Sequence, residues 1–192
     1  MRYSGAISDA DILINFAKVD RLDILSHLFK KIVIPQYVFD VELKYKAGRY
    51  YSVIIKAIQE EGSIIRVLDR KKDKAINLLS RELIEEKRKI IGPGESECAG
   101  YAKALRIPII ISDNYTEFRW LKEFITLTHR NVLVLCVHFG DITEEIGVEI
   151  FDAINKQLKW PTGNTFKDFQ RKSMNRFKDN NWDKLLQIDA LQ

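Results

Sequence analysis

The sequence predicts an α/β fold in which helices cover both faces of a mainly parallel sheet. Short runs rich in β-branched residues alternate with longer stretches of helical periodicity along the 192 residues. This alternation is typical of parallel strands joined by crossover helices. Hydrophobic residues make up 46% of the chain, which is enough for one buried core at this length. Long disordered or fibrous structures are therefore excluded.

The strands are predicted from short apolar runs. The longest uninterrupted ones, 107–111 and 132–137, have about the length of a strand. We predict strands at 3–8, 31–34, 64–68, 107–112 and 131–137. The helical periodicity between them predicts helices at 11–18, 22–29, 37–45, 50–61, 71–89, 95–105, 116–126 and 143–158.

The chain changes character after Trp160. Pro161, Gly163 and Asn164 interrupt it, and a polar, basic stretch with four aromatic residues follows. We predict a main domain at 1–158 and a basic, aromatic-containing C-terminal extension at 159–192. The aromatic rings favour a helix that packs on the main domain over one that stacks its rings on single-stranded RNA.

No apolar stretch approaches the roughly 20 residues that a membrane span requires. Acidic residues stand where a secretory signal would have its apolar core. We therefore expect a cytoplasmic protein without a membrane segment. Cys98 and Cys136 lie in apolar surroundings, which predicts buried free thiols rather than a disulfide.

The formal net charge of +4 is unevenly distributed. Residues 91–155 hold ten Asp and Glu against five Lys and Arg, whereas residues 156–192 hold eight Lys and Arg against four acids. Residues 61–90 are also basic, with nine Lys and Arg against six acids. Such a chain can hold cations at one place and a polyanion around it, although solvation of helix surfaces produces the same asymmetry.

Acidic residues follow two of the predicted strands directly. Asp9 follows the first strand and Asp113 the fourth, each after a serine. Ligands bind outside the carboxyl ends of strands in such sheets, so the two carboxylates converge if the strands are neighbours. Further acids stand in pairs at Glu95 and Glu97 and at Asp40 and Glu42.

Clustered carboxylates repel one another unless a cation lies among them, and Mg²⁺ or Mn²⁺ is the natural candidate for oxygen ligands. Metal-dependent phosphodiester hydrolysis is therefore the leading chemistry. Residues two apart on a helix point about 200° apart, so only one member of each pair can face an ion. Asp11 is expected to cap the first helix.

Other chemistries have less support. The three histidines lack zinc-like spacing, residues 92–95 (GPGE) lack the Lys and Ser/Thr of a phosphate-binding loop, and neither cysteine has a nearby catalytic histidine. Asp9-Ala10-Asp11 at a strand end is superficially similar to the DxD motif of HAD-like phosphatases. However, residues 12–14 (ILI) replace the Gly-Thr-Leu usual there.

Several segments resemble PIN-domain proteins, and within them the prokaryotic nucleic-acid-binding subgroup related to VapC-type toxins. They are residues 7–18 (ISDADILINFAK), 21–25 (RLDIL), 32–35 (IVIP), 94–99 (GESECA) with 102–105 (AKAL), and Ser112-Asp113-Asn114 with Glu117-Phe118 behind it. The likeness covers roughly residues 4–140. It implies a three-layer α/β/α fold and a ribonuclease in which acids bind Mg²⁺ or Mn²⁺ and a metal-activated water attacks RNA.

Carried over by position, the resemblance implies catalytic roles for Asp9, Glu42, Glu97 and Asp113. It implies metal ligation by Asp9, Glu97, Asp113 and Asn114, with Asp40, Glu95 and Glu117 as additional candidates. Asp40 and Glu42 are alternatives for the same catalytic position. Asn114 occupies a position where the family commonly has a second acid. We expect RNA phosphates to contact the basic segments, at Arg70, Lys71, Lys72 and Lys74 on a predicted helix and at Lys167, Arg171, Lys172 and Arg176 in the extension.

The resemblance leaves the biological role open between two alternatives. The protein is either a ribonuclease, as the toxin of a toxin–antitoxin pair with an antitoxin partner, or a catalytically degenerate PIN domain that binds RNA or a protein. A homodimer is a family expectation.

Overall fold

The structure is built on a five-stranded sheet whose strands all run in the same direction. The computed structural model describes residues 2–118 and 121–186. The strands are β1 (Ala6–Ser8), β2 (Ile32–Ile34), β3 (Ile65–Val67), β4 (Ile109–Ile111) and β5 (Ile125–Leu127). They lie in the order β3-β2-β1-β4-β5 and are all parallel. The predicted α/β/α class is confirmed.

The chain changes direction across the sheet between β1 and β4. From β1 it runs outward through β2 to β3, and it then returns to place β4 on the other side of β1, with Ile7 opposite Ile110. Every residue of β1, β2 and β4 is buried, as expected for parallel strands covered on both faces. The crevice at the carboxyl ends of β1 and β4 is where ligands bind in open α/β sheets.

The described helices fill the connections between the strands. The α-helices are α1 (Ala10–Lys18), α2 (Ile24–Leu28), α3 (Lys44–Lys46), α4 (Tyr51–Gln59), α5 (Lys74–Lys87), α6 (Pro93–Leu105), α7 (Tyr115–Phe118), α8 (His129–His138), α9 (Glu144–Asn155) and α10 (Phe166–Asp179). A π-helical segment covers Val38–Leu43, and 3-10 turns cover Gly48–Tyr50 and Asp183–Leu186. None of them is long and apolar enough to cross a membrane.

Two groups of helices pack against the sheet. Helix α6 contacts β1 and β4 and carries α5 beside it, whereas α8 contacts β5 and packs with α1, α2 and α9. Cys98 on α6 and Cys136 on α8 are buried free thiols, as predicted.

The predicted strand at 131–137 is wrong, because this segment forms most of helix α8. Thr128 caps the helix, since its Oγ accepts the Asn131 N–H at 3.3 Å and Asn131 Oδ1 accepts the Thr128 N–H at 3.0 Å. Residues 131–136 are all buried, so the helix is apolar all round and its sequence carries no amphipathic period. The fifth strand is instead Ile125–Leu127, at the end of a predicted helix.

The predicted helix over 71–89 is shorter than expected. Asp69 Oδ1 accepts the N–H groups of Lys71 and Lys72 at 2.8 and 3.2 Å, which forms a turn before α5 begins at Lys74. The basic residues 70–72 therefore lie in a loop.

The C-terminal segment forms helix α10, which packs on α8 and α9. Thr165 and Asp168 cap its start reciprocally. Phe166 and Phe177 are buried, and the Phe166 ring lies 5.7 Å from that of Phe151 on α9. The expectation that the extension packs its aromatic residues on the main domain is confirmed. The division at residue 158 stays a prediction.

Helices α5 and α6 approach closely at Gly100. A methyl group there would overlap Ile84 and lie 2.9 Å from the Ser80 carbonyl oxygen. We expect Gly100→Ala to lower the free energy of unfolding by about 1–3 kcal/mol, since the backbone must move apart. Urea unfolding measures this change. Gly163→Ala is the control because no atom of the described residues lies within 4 Å of the added carbon. An equal loss in both variants would contradict the close packing.

Candidate functional site

The Asp9 carboxylate is fixed between the ends of β1 and β4. Asp9 directly follows β1 and caps α1, with Oδ1 accepting the Ala10 N–H at 2.7 Å. Its Oδ2 accepts the Ser112 hydroxyl, from the residue after β4, at 2.8 Å. The side chain is 1% exposed. The cap of α1 is therefore Asp9, and the expectation that Asp11 supplies it is wrong, because Asp11 lies inside the first turn.

Three further carboxylates surround Asp9. Burial, together with the charges of Asp11, Glu42 and Glu95, raises the pKa of Asp9 to about 8. Burial likewise raises the pKa values of Asp11 and Glu95. We call these four residues the carboxylate cluster. Their mutual repulsion shows that the structure gathers negative charge at the crevice between β1 and β4.

Glu42 reaches the cluster from the π-helical segment. Its side chain is buried, whereas that of Asp40, two residues earlier, is exposed. Gly94 makes room for it, since a methyl group at that position would overlap the Glu42 carboxylate. Lys46 on α3 donates from Nζ to Glu42 Oε2 at 2.7 Å. Of the two acids that compete for this place, the structure brings only Glu42 to Asp9.

Glu95 and Glu97 lie on different sides of α6. Glu95 Oε1 accepts the Asn114 side-chain N–H at 2.8 Å within the carboxylate cluster. Glu97 is fully buried and is paired with Arg70 and, at 3.4 Å, with Arg88.

The Tyr37 N–H also donates to Glu97, at 3.3 Å. Glu97, a predicted ligand, is therefore engaged by two arginines and a backbone N–H, whereas Glu95 is one of the charges that raise the pKa of Asp9. The roughly 200° between residues two apart on a helix explains why only one of the two glutamates can face Asp9.

Asp113 is engaged in a hydrogen-bond network of its own. Its Oδ1 accepts the His129 N–H at 2.9 Å, and its Oδ2 contacts His129 Nδ1 at 2.7 Å and the Asn15 amide at 2.6 Å. Burial acts to raise the pKa of Asp113, but the His129 charge and these hydrogen bonds outweigh it and lower the pKa below its usual value. Asp113 therefore stays ionised at neutral pH.

Asp113 and Asp11 line the same cleft, which has a volume of about 410 Å³. The cations Lys18, Lys46 and Arg130 line it as well. Glu117, another predicted candidate, accepts the Gly92 N–H at 2.7 Å and raises the pKa of the adjacent Glu95. The cleft thus opens from the carboxylate cluster toward basic side chains.

The residues at the crevice fit a hard divalent cation. The cluster offers carboxylate oxygens, which suit Mg²⁺ or Mn²⁺, and a cation would relieve the repulsion that raises the pKa of Asp9. Among the described residues, no group of three His, Cys, Asp or Glu side chains forms a ready-made metal site. Metal binding there would therefore draw the carboxylates closer together.

The predicted RNA-binding residues occupy two separate surfaces. Arg70 is engaged by Glu97, and Lys71, Lys72 and Lys74 are exposed beside it. On α10, Lys167 and Arg171 are exposed, while Lys172 and Arg176 line a second cleft of about 360 Å³.

Sequence reasoning missed Asn15, His129 and Arg130 as site residues. Asn15 stands four residues after Asp11, so both lie on one face of α1, a signal that could have indicated it. His129 and Arg130 carried no such signal, because the fifth strand was predicted after them, at 131–137, whereas β5 precedes them.

A family model described as a PIN domain matches residues 5–139, well over half of the chain. The chain therefore belongs to the PIN-domain family, and the extent agrees with the predicted 4–140. A comparison with curated proteins finds no match. PIN domains are generally nucleases that act on nucleic acids and typically use divalent metals. The family match leaves the phosphatase alternative without support.

The free energy of unfolding should depend on pH through the ionisation of Asp9. Because its pKa of about 8 in the folded protein exceeds the usual 3.8, the folded state binds more protons than the unfolded state between these values. Stability therefore falls as the pH rises from about 4 to 8. Asp9→Asn has no such loss, so its stability relative to the original protein should rise over this range by about 2 kcal/mol or more.

Urea unfolding at pH 4, 6 and 8.5 measures this difference. Asp152→Asn on α9 is the matched control, since its side chain is exposed. A gap between Asp9→Asn and the original protein that stays constant across the three pH values would contradict a buried carboxylate with a raised pKa.

Proposed function

We propose that the protein is a ribonuclease that requires Mg²⁺ or Mn²⁺ and hydrolyses RNA phosphodiester bonds. The observation that carries the proposal is the carboxylate cluster at the crevice between β1 and β4. Two hydrogen bonds hold Asp9 there, and burial together with the neighbouring carboxylates raises its pKa. Unscreened charge of this kind costs stability, so a fold that gathers it requires a functional reason such as a cation.

The residues that would hold the ion are Asp9, Glu42 and Glu95, with Asp113 at the cleft and Asn114 beside Glu95 as further ligands. When bound, the ion lowers the pKa of a water molecule and offsets charge on the phosphate. The resemblance assigns the third acid to Glu97, but the pairing of Glu97 with Arg70 and Arg88 supports Glu95 in that role.

We assign separate roles to Asp113 and Asp11. Asp113 stays ionised and holds Asn15 and His129 in place through its two oxygens. Asp11 lines the cleft, and burial raises its pKa. We assign Asp11 to accept the proton of the attacking water, because it is the member of the carboxylate cluster that lines the cleft and a general base must lie within reach of the proton it accepts.

RNA is the proposed substrate because cations surround the acidic centre. Lys18, Lys46 and Arg130 line the cleft beside Asp11. Further basic groups lie on two surfaces, with the exposed Lys71, Lys72 and Lys74 on one and the exposed Lys167, Arg171 and Lys172 and the partly buried Arg176 on the other. Such groups supply most of the affinity for a phosphate backbone.

The likeness of residues 7–35 and 94–114 to VapC-type proteins supports a finer proposal. The protein would act in the cytoplasm as the toxin of a toxin–antitoxin pair, as a homodimer, with an antitoxin protein as its partner.

A second candidate is a PIN domain that binds RNA without cutting it. Among the described residues, no three His, Cys, Asp or Glu side chains are close enough together to form a ready-made metal site. This observation favours the alternative. In that case RNA affinity should survive both EDTA and Asp9→Asn, and no cleavage should occur with any divalent metal.

Purified protein with Mn²⁺ should degrade unstructured single-stranded RNA. Asp9→Asn should lower the rate at least about 100-fold, since removing one preorganised charged group at a catalytic centre commonly has an effect of that size. Gel electrophoresis of an end-labelled oligonucleotide measures the rate. EDTA should stop cleavage in the original protein.

The matched control is Asp152→Asn, which removes an exposed carboxylate from α9 and should cleave at the original rate. Cleavage by Asp9→Asn as fast as by the control would refute the assignment of the site. Absence of cleavage in the original protein together with metal-independent RNA binding would favour the second candidate.

A further inference from the structure

Arg130 stands where two clefts of the protein meet. It is the second residue of α8 and follows β5 closely. It lines the cleft of about 410 Å³ that holds Asp11 and Asp113, and it also lines the cleft of about 360 Å³ that holds Lys172 and Arg176. Thr128 is the other residue common to both linings. A ligand that extends from one cleft into the other therefore passes Arg130.

The Arg130 guanidinium is half-buried, and it is held by stacking. Its central carbon lies 4.5 Å from the centroid of the Phe169 ring on α10. Its Nε is buried and has no hydrogen-bond partner among the residues that the structure describes. Burial acts to lower the pKa of Arg130, while the Asp113 charge opposes this effect. A buried donor without a partner is costly, so the position suits a side chain that completes its hydrogen bonds with a bound anion.

Phe169 is itself fixed by its neighbours. Its ring lies 5.4 Å from that of Phe151 on α9, and the Lys172 ammonium lies 5.6 Å from its centroid. The Arg130 and Lys172 cations therefore share one aromatic ring. Helix α10 lies beyond residue 139, where the family match ends. The contact between Arg130 and Phe169 thus joins the PIN domain to a segment that the family model does not include.

We propose that Arg130, held on the Phe169 ring of α10, binds a phosphodiester group of the RNA at the junction of the two clefts. This inference rests on the proposed function, because it takes RNA as the substrate. A guanidinium has N–H donors in a planar fork that matches two phosphate oxygens, and it stacks on an aromatic ring at the same time. The arrangement leads an RNA strand from the basic α10 surface, past Arg130, to the carboxylate cluster.

The test measures binding of a fluorescein-labelled, unstructured 12-nucleotide RNA by fluorescence anisotropy. All proteins carry Asp9→Asn so that the RNA stays intact. Arg130→Gln should weaken binding about tenfold, the effect of losing a hydrogen-bonded charge contact. Arg106→Gln is the matched control. It removes the same charge from an exposed position before the amino end of β4, whereas the crevice lies at the carboxyl end of that strand. This substitution should leave the affinity within twofold.

Salt dependence separates a phosphate contact from a change in folding. The slope of log Kd against log salt concentration should fall by about 0.7 in Arg130→Gln, the value for one lost contact to a single strand. Arg130→Lys, which keeps the charge, should restore the slope but only part of the affinity. A slope in Arg130→Gln equal to that of the control would overturn the proposal.

Phe169→Leu tests the role of α10 as a support for Arg130. It keeps an apolar side chain against Phe151 and removes the aromatic face. We expect it to weaken RNA binding about threefold through lost stacking, and to have no further effect in the presence of Arg130→Gln. Thermal unfolding identifies variants that are not folded. Additive effects of the two substitutions would show that Phe169 does not act through Arg130.

The two proposals fail in different ways. Normal RNA cleavage by Arg130→Gln in a chain that keeps Asp9, with unchanged affinity and salt slope, would overturn the phosphate contact and leave the ribonuclease intact. If the original protein neither binds nor cleaves RNA, the proposed function falls and the inference falls with it.

Discussion

The Asp9 carboxylate is held by hydrogen-bond donors from two distant parts of the chain, Ala10 after β1 and Ser112 after β4. The Ser112 hydroxyl reaches Asp9 only because β1 and β4 are neighbours in the sheet. This placement fixes the Asp9 carboxyl group at the crevice where the chain changes direction. Its burial and the nearby charges of Asp11, Glu42 and Glu95 raise its pKa, so the electrostatics of the site depend on the strand order.

Helix α6 contributes to the site and to the fold through opposite sides. Glu95 faces Asn114 in the carboxylate cluster. Glu97 is fully buried and ties α6 to Arg70, before α5, and to Arg88, after it. Loss of this carboxylate would remove both ion pairs, and with them the links between α6 and the two ends of α5. Two glutamates in one short motif therefore have different physical roles, one of them electrostatic and one of them structural.

The sequence predicted most of the fold and the position of Asp9, because acids directly after apolar strands indicate the carboxyl edge of a sheet. It could not decide which of Glu95 and Glu97, or which of Asp40 and Glu42, faces Asp9. That choice depends on the rotation of α6 about its axis in the first pair and on the π-helical segment in the second. The all-apolar 132–137 run fits a strand and a buried helix equally well, which led to the wrong fifth strand. The contact of Arg130 with Phe169 joins residues 39 positions apart on packed helices, and no local pattern predicts it.

The central claim is that a divalent cation binds to the carboxylate cluster through Glu95 and not through Glu97. Isothermal titration of Mn²⁺ into the original protein, Glu95→Gln and Glu97→Gln at pH 7.5 tests it most directly. We expect Glu95→Gln to lose at least about tenfold in Mn²⁺ affinity, in line with the loss of a charged ligand. Glu97→Gln should keep the original affinity while unfolding at a lower temperature. Unchanged affinity in Glu95→Gln, with loss of binding in folded Glu97→Gln, would contradict the account.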